Sequence, residues 1–245
     1  MLLDRFLDDY DHFHGLASIT LQGQPDKVAE EIDRIGDEDA FVGAFIAQSG
    51  TRNQMPPGDQ RYDVIYRALE DNDLTPVYHA SNFVDSADML NNLETCFAWH
   101  TLGAAWSIMQ TVTSLIAQGV PEKFPDLDFV MLEGRIEWVP WLMAGLNREQ
   151  GQWQSEITYL TQSPEEYIRE RFYFATQPIG EINDPKDMLK LLDVIGYDSL
   201  TFASDYFHYD WDNPSAIDKF LTSVDAGDRE KVLSGNAAEA FGLDL

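Results

Sequence analysis

The sequence predicts an α/β fold in which a parallel β-sheet is covered by helices. Six short runs are rich in apolar and β-forming residues, and each is followed by a helix-like stretch. Most of these runs are apolar along their whole length and do not alternate between apolar and polar residues. This pattern is typical of strands that are buried on both faces. With 44% hydrophobic residues, the pattern predicts one large domain over residues 1–245.

The predicted strands and helices alternate in order along the chain. The strand at 41–47 (FVGAFIA) has the clearest apolar run, and the helix at 26–36 begins after a proline and ends at a glycine. The strands are predicted at 16–21, 41–47, 75–80, 127–133, 171–177 and 199–205. The helices are predicted at 26–36, 61–72, 87–118, 136–150, 185–195, 214–222 and 228–240.

Two features favour a (β/α) barrel over a doubly wound sheet. The first strand is not followed by the glycine-rich phosphate-binding loop of dinucleotide-binding folds. A polar residue recurs instead at the carboxyl ends of three strands, as His79, Glu133 and Asp205. Because the carboxyl ends of barrel strands meet on one face and build the active site there, we expect these side chains to share a site.

The charge of the chain excludes several classes of partner. The 43 acidic and 16 basic residues give a formal net charge of −27, which repels nucleic acids and anionic membrane surfaces. The acids are spread along the chain, as in proteins of a high-salt cytoplasm, although an ordinary acidic protein is the alternative. No apolar stretch has the length that a bilayer requires, and the first residues do not resemble a secretory signal. We expect a halophilic, cytoplasmic protein without a nucleic-acid or membrane partner.

Some residues that attract attention are expected to be structural. Cys96 is the single cysteine and lies in an apolar, helix-like stretch, so we expect a small core residue rather than a nucleophile. Trp138 and Trp141 open a predicted helix and are expected to pack against the sheet.

Each of the three strand-end residues has two interpretations. A neutral His79 could bind a divalent metal through one ring nitrogen, or it could be a buried histidine with satisfied hydrogen bonds. Asp205 could bind a metal and accept a proton from bound water, or it could cap a helix or form a loop salt bridge. Glu133 is flanked by Leu132 and Gly134 and is too enclosed to be an ordinary surface charge, so the alternative to a ligand is a structural ion pair with Arg135 or another arginine.

Other histidines are weaker candidates. His208 could orient Asp205 or polarise a substrate, or it could be an ordinary loop residue. His100 lies in a helical run with two tryptophans and is expected to be a core residue or to support the site. His12 and His14 precede the first predicted strand instead of closing one, so we do not expect them to bind metal.

Four segments together resemble one protein family. They include LEGR at 132–135 and SDYFHYD at 204–210, and they follow one another in the order of the family. The family is that of the amidohydrolase-related, metal-dependent hydrolases, which includes the aminocarboxymuconate-semialdehyde decarboxylase group. The likeness extends back to about residue 16 and covers nearly the whole chain. The segments are 124–141, 163–169, 202–210, and 235–238 with 241–243.

The resemblance implies a TIM-type (β/α)8 barrel that binds a divalent Zn or Mn ion. In the family the ligands are an HxH pair on strand 1, a histidine after strand 5 and an aspartate after strand 8. His79 matches the strand-5 position and Asp205 the strand-8 position, while Glu133 stands on strand 6, where part of the family has histidine. Phe207 replaces the usual proline. Residue 16 begins strand 3, so we expect a partial, N-terminally incomplete barrel with strands 3–8, whose open edges favour a homo-oligomer.

The resemblance also implies a function. The main expectation is a hydrolase in which a metal-activated water attacks a small carboxylate, amide or ester substrate. The alternatives are non-oxidative decarboxylation of an aromatic or unsaturated carboxylate, and an inactive barrel that serves as a scaffold. Substrate specificity is expected to lie in the loops 48–60, 81–95 and 150–165. The candidate residues are His79, Glu133 and Asp205 as metal ligands, Asp205 and His208 as catalytic residues, and His100, Arg135 and Ser204 as residues that support the site or contact substrate.

Overall fold

The computed structural model describes residues 7, 12–47, 55–80, 95–180, 182 and 184–244. It contains a six-stranded sheet whose spatial order follows the chain order from β1 to β6. All five strand pairs are parallel. The strands are β1 Gly15–Ile19, β2 Phe41–Ala47, β3 Thr75–His79, β4 Phe129–Leu132, β5 Phe172–Ala175 and β6 Leu200–Thr201.

Helices connect the strands and follow the last one. Among the helices that the structure describes, none has the length and apolar character needed to cross a membrane. The last part of the chain forms a short helix, a π-helical turn at Lys231–Gly235 and a second short helix. The helices are α1 Pro25–Gly36, α2 Asp63–Asp71, α3 Cys96–Ala117, α4 Val120–Lys123, α5 Val139–Trp153, α6 Pro164–Arg171, α7 Pro185–Ile195, α8 Pro214–Leu221, α9 Ala226–Glu230 and α10 Asn236–Ala240.

The strand order confirms the predicted α/β class and the barrel-like winding. Each strand pairs with the strand before it and the strand after it in the chain, and the order never reverses. A doubly wound sheet reverses its order at a switch point, whereas a (β/α) barrel winds in one direction. The sheet has two edges, and within the described residues β1 and β6 each have a single strand partner.

The core lies mainly between the sheet and the outer helices. Tyr78 on β3 and Tyr66 on α2 are fully buried there, and the two phenol hydroxyls form a hydrogen bond. Phe129 and Phe172 on neighbouring strands stack with ring centroids 5.0 Å apart. Successive side chains of a strand point to opposite faces of the sheet. Val77, the neighbour of Tyr78, therefore lies on the other face and belongs to a second apolar cluster.

That second cluster fills the inner face of the sheet. It joins Val77, Val130 and Tyr173 of three strands to Ala240 at the end of α10. The hydroxyl of Thr75 donates a hydrogen bond to the Ala240 carbonyl at 2.5 Å. The end of the chain therefore covers apolar surface that the strands present to the inside of the sheet.

Several predicted boundaries are wrong, and the reasons are local. The last strand was predicted at 199–205, but Phe202 N donates to Val232 O at 2.7 Å, so the chain leaves the sheet after Thr201. The helix predicted at 136–150 begins only at Val139, and the one predicted at 228–240 is interrupted by the π-helical turn. Helix α6 was not predicted, although Ser163 and Glu166 form a reciprocal capping box at its start.

Two expectations about packing are also wrong. Cys96 is exposed at the first position of α3 instead of lying in the core. The side chain of Trp141 is 65% exposed, whereas Trp138 packs edge-on against Phe174 as expected, with centroids 5.7 Å apart. Parts of the predicted loops 48–60 and 81–95, and the beginning of the helix predicted at 87–118, lie outside the described residues, namely 48–54 and 81–94.

Candidate metal centre

The carboxyl ends of β4 and β6 bring together three side chains that can bind a metal. One ligand atom from each of Glu133, Asp205 and His208 lies within 4.8 Å of the other two. Glu133 directly follows β4, and Asp205 follows β6 after three residues. Because parallel strands end on the same side of the sheet, the predicted meeting of Glu133 and Asp205 follows from the fold.

His79 reaches this cluster from the end of β3. Its Nε2 atom lies 3.1 Å from Glu133 Oε2, and its Nδ1 atom lies 2.7 Å from the Ala80 carbonyl oxygen. The carbonyl can only accept, so Nδ1 carries a proton and Nε2 faces the carboxylate. Burial lowers the pKa of His79, but the hydrogen bond and the charge of Glu133 outweigh burial and raise it overall.

Two carboxyl groups share the centre of the cluster. Burial, together with the hydrogen bond and charge of Glu133, raises the pKa of Asp205 to about 6. Burial also acts on Glu133, but the hydrogen bond from His79 holds the pKa of Glu133 below its usual value. Glu133 is therefore the carboxylate that stays ionised, and Asp205 is the one that holds a proton under mildly acidic conditions.

His208 contacts Asp205 from the following turn. Its Nδ1 atom lies 2.9 Å from Asp205 Oδ2 and 3.6 Å from Asp210 Oδ1. The backbone N–H of His208 donates to the Asp205 carbonyl at 2.8 Å, which closes the turn. Of the two interpretations of His208, the one in which it orients Asp205 fits this geometry.

The backbone is strained at this face of the sheet. Glu133, Arg135 and Asp205 have φ values of 53°, 59° and 54°, in the left-handed region that costs about 1–2 kcal/mol for a residue with a side chain. They are three of the four non-glycine residues with positive φ in the described part of the chain. Such strain concentrates at functional sites, where the surrounding structure compensates for it.

The structure places the remaining candidates around this centre. His100 Nε2 lies 3.9 Å from Asp210 Oδ2 and 3.3 Å from the Tyr209 hydroxyl, at the outer side of the cluster. Ser204 Oγ accepts a hydrogen bond from Tyr206 N at 3.3 Å, so its hydroxyl supports the turn. His12 and His14 are exposed before β1 and are not members of the described cluster.

Two residues near the centre were not predicted. Gln177, which follows β5, donates through Nε2 to Asp205 Oδ2 at 3.4 Å and to the Asp210 carbonyl at 3.3 Å. Asp210 lies between His100 and His208. Asp210 could have been noted as a second acid in the segment 204–210, whereas Gln177 carries no signal in the sequence.

The donor set fits a divalent ion such as Zn or Mn. Two carboxylates and an imidazole are oxygen and nitrogen ligands that both ions accept. Without a cation, Glu133 and Asp205 place like charges together, and protons must compensate for them. His79 is a fourth candidate ligand. Its Nδ1 is held by a backbone carbonyl and its Nε2 faces the site, which is typical of metal-binding histidines.

The sequence comparison identifies the family of the chain. Residues 1–243 match the family model described as amidohydrolase. The chain belongs to the amidohydrolase family. This confirms the resemblance on which the expected fold and site were based. No curated protein matches the chain.

Solved structures similar to the chain include two decarboxylases. A 2,6-dihydroxybenzoate decarboxylase from Rhizobium has a TM-score of 0.76 at 20% identity, over 98% of this chain and 74% of that one. A 5-carboxyvanillate decarboxylase from Novosphingobium aromaticivorans, complexed with manganese and a nitrobenzoic acid, has a TM-score of 0.77 at 22% identity, over 99% and 68%. An amidohydrolase from Mycobacterium avium subsp. paratuberculosis has a TM-score of 0.76 at 20% identity, over 94% and 58%.

These likenesses concern the fold. At identities near 20% they show the barrel-type α/β architecture and do not by themselves establish the reaction of this chain. The chain spans 58% of the length of the Mycobacterium protein. The manganese in the Novosphingobium enzyme agrees with the divalent ion that the family resemblance implies.

Proposed function

We propose that the protein is a metal-dependent, non-oxidative decarboxylase of an aromatic or unsaturated carboxylate. The observation that carries the proposal is the cluster of Glu133, Asp205 and His208 at the strand ends, with His79 beside it, in a chain of the amidohydrolase family. The similarity to decarboxylases that act on ring-substituted benzoates favours this reaction over hydrolysis.

The cluster provides ligands for the metal and a group that can donate a proton. Glu133, Asp205 and His79 would hold the ion, which when bound supplies a positive charge that stabilises negative charge on the substrate. Decarboxylation requires a proton on the carbon that loses CO₂, because the electron pair of the broken C–C bond remains there. Asp205, whose pKa of about 6 lets it take up and release a proton close to neutral pH, is the candidate donor.

His208 can return the proton to Asp205 after each turnover. Its Nδ1 atom lies 2.9 Å from Asp205 Oδ2, within the distance of a direct proton transfer. The side chain of His208 is 45% exposed, so it can exchange protons with solvent. We propose that Asp205 is the acid and His208 the residue that resupplies it.

Hydrolysis is the second candidate function. The same pair could act in the opposite direction, with Asp205 accepting a proton from a water molecule that attacks the substrate. The two reactions differ in their product, since a decarboxylase releases one CO₂ per turnover and a hydrolase releases none. An inactive scaffold is the third candidate and predicts no turnover of either kind.

The test combines metal analysis with product analysis. Protein purified in high salt is analysed for Zn and Mn by elemental mass spectrometry, with about one ion per chain expected. It is then incubated with 5-carboxyvanillate and 2,6-dihydroxybenzoate, and CO₂ and the ring product are measured. We expect Asp205→Asn to abolish turnover with the fold retained, and His79→Ala to lower the bound metal.

Asp198→Asn serves as the matched control. Asp198 carries the same charge, is 74% exposed and pairs with Lys231 outside the cluster, so its loss should leave both metal content and turnover unchanged. Turnover by Asp205→Asn at the rate of the parent protein would refute the role assigned to Asp205. Cleavage of a small ester or amide supplied in a parallel assay, without release of CO₂, would favour the second candidate.

A further inference from the structure

Arg135 is a cation among acidic groups at the carboxyl ends of the strands. The segments that follow β4, β5 and β6, at 133–138, 176–180 and 202–213, contain one lysine or arginine, and that residue is Arg135. The electrostatic effect of Arg135 extends to Asp212, where it opposes the rise in pKa that burial causes. Arg135 stands two residues after Glu133, at the same end of β4.

The backbone at Arg135 has a conformation that favours glycine. Its φ is 59°, and an arginine at this angle is less stable than a glycine would be. The preceding residue is Gly134, where a Cβ atom would lie 2.6 Å from Ile108 Cγ1, so close packing explains the glycine at 134.

The guanidinium of Arg135 is only partly satisfied. Its Nε atom is buried and has no hydrogen-bond acceptor among the described residues. Asp210 Oδ1, which lies 3.6 Å from His208 Nδ1, is likewise buried without a hydrogen-bond donor among the described residues. A buried polar atom without a partner costs stability unless a ligand satisfies it. Arg135 thus combines two costs, a strained backbone and an unsatisfied donor, beside a candidate active site.

We propose that Arg135 binds the carboxylate of the substrate and determines specificity for anionic substrates. The inference rests on the proposed function and assigns the substrate contact to a residue of this chain. A planar guanidinium with several N–H donors matches a carboxylate, and its charge does not depend on pH in the physiological range. In a chain with a net charge of −27, a cation beside the carboxylates of Glu133 and Asp205 favours the binding of an anion.

Ligand binding tests this inference without turnover. The probes are benzoate and its neutral analogue benzamide, titrated by calorimetry at constant ionic strength, with and without EDTA to separate a contribution of bound metal. We expect Arg135→Gln to weaken benzoate binding by about tenfold to a hundredfold, the effect of losing a hydrogen bond to a charged group. Benzamide binding should remain within about twofold, because no full charge is lost in that contact.

Two further variants separate binding from folding. Arg148→Gln is the matched control, since Arg148 is 80% exposed on α5, and it should bind benzoate as the parent does. Arg135→Gly should raise the Tm, because glycine adopts the left-handed conformation without strain, while it weakens benzoate binding as Arg135→Gln does. The expected result is therefore a more stable protein that has lost its preference for the anion.

The outcomes distinguish this inference from the proposed function. Benzoate affinity that is absent in the parent, unchanged in Arg135→Gln, or lost in parallel with benzamide affinity would overturn the role of Arg135. A lower Tm for Arg135→Gly would show that Arg135 is structural and would overturn it as well. If the preference for benzoate depends on Arg135 but no CO₂ is released from any substrate, the proposed decarboxylase function is wrong, whereas the role of Arg135 in binding anions is supported.

Discussion

Asp128 should destabilise the folded protein at neutral pH, so Asp128→Asn should stabilise it. Asp128 precedes β4, and its side chain is only 24% exposed. Burial raises its pKa to about 6, the charge of Glu239 adds to the rise, and Arg171 opposes it. Arg171 Nε lies 3.4 Å from Asp128 Oδ1 and also donates to the Leu127 carbonyl at 3.1 Å, so its compensation is incomplete.

The pKa fixes the sign and the size of the effect. An acid whose pKa is higher in the folded state favours folding at low pH, and this contribution is lost as the pH rises from about 4 to about 6. A shift from 3.8 to about 6 corresponds to at most about 3 kcal/mol at 1.36 kcal/mol per unit. Because the carboxyl group is partly solvated, we expect about 1–2 kcal/mol. Asparagine removes the charge and keeps an oxygen that can accept from Arg171.

Urea unfolding followed by tryptophan fluorescence measures the effect. The free energy of unfolding of Asp128→Asn is compared with that of the parent at several values from about pH 4.5 to about pH 7.5, at constant salt. Both proteins contain the same other carboxylates, so the difference between them reports mainly on Asp128. It should grow with pH in favour of the variant and correspond to about 2–8 °C in Tm at neutral pH. A variant less stable than the parent at pH 7.5, or a difference independent of pH, would refute the reasoning.

Four other changes should alter the free energy of unfolding in urea or the Tm. Tyr66→Phe should cost about 2–4 kcal/mol and Tyr78→Phe about 1 kcal/mol. The buried Tyr66 hydroxyl donates to Pro57 O at 2.8 Å, and its loss also leaves the Tyr78 hydroxyl without its acceptor. Equal costs of the two substitutions would contradict this order. Ser163→Ala should cost about 1 kcal/mol through the capping box of α6, and no change would mean that water replaces the cap. Lowering KCl from about 2 M to about 0.1 M should lower the Tm, because screening of the −27 charge is lost; a constant Tm would favour an ordinary acidic protein.

The sequence predicts the strands and the meeting of the strand-end residues because both depend on patterns of short range. An apolar run such as 41–47 is recognisable in isolation, and β2 occupies this same range. The convergence of Glu133 and Asp205 then requires only that the strands are parallel and in order. His79 follows the same rule, since it is the last residue of β3.

The contacts made by loops could not be predicted in the same way. Asp210 and Gln177 reach Asp205 and its neighbours because the chain turns sharply at Asp205, where φ is 54°, and a turn of this kind has no periodic signal. The end of β6 likewise depends on the bond between Phe202 N and Val232 O, thirty residues apart in the sequence. Apolar residues at 202 and 203 continue the strand pattern although the backbone has left the sheet.

The contact between β3 and the end of α10 affects when the protein can fold during synthesis. The Thr75 hydroxyl and the Ala240 carbonyl are 165 residues apart in the chain, and the apolar cluster around Val77 closes only when Ala240 joins it. Long-range contacts of this kind slow folding, because a large loop must be ordered before they form. On the ribosome, a nascent chain therefore exposes the inner face of the sheet until α10 has emerged. Chaperones would be most useful to the chain during this interval.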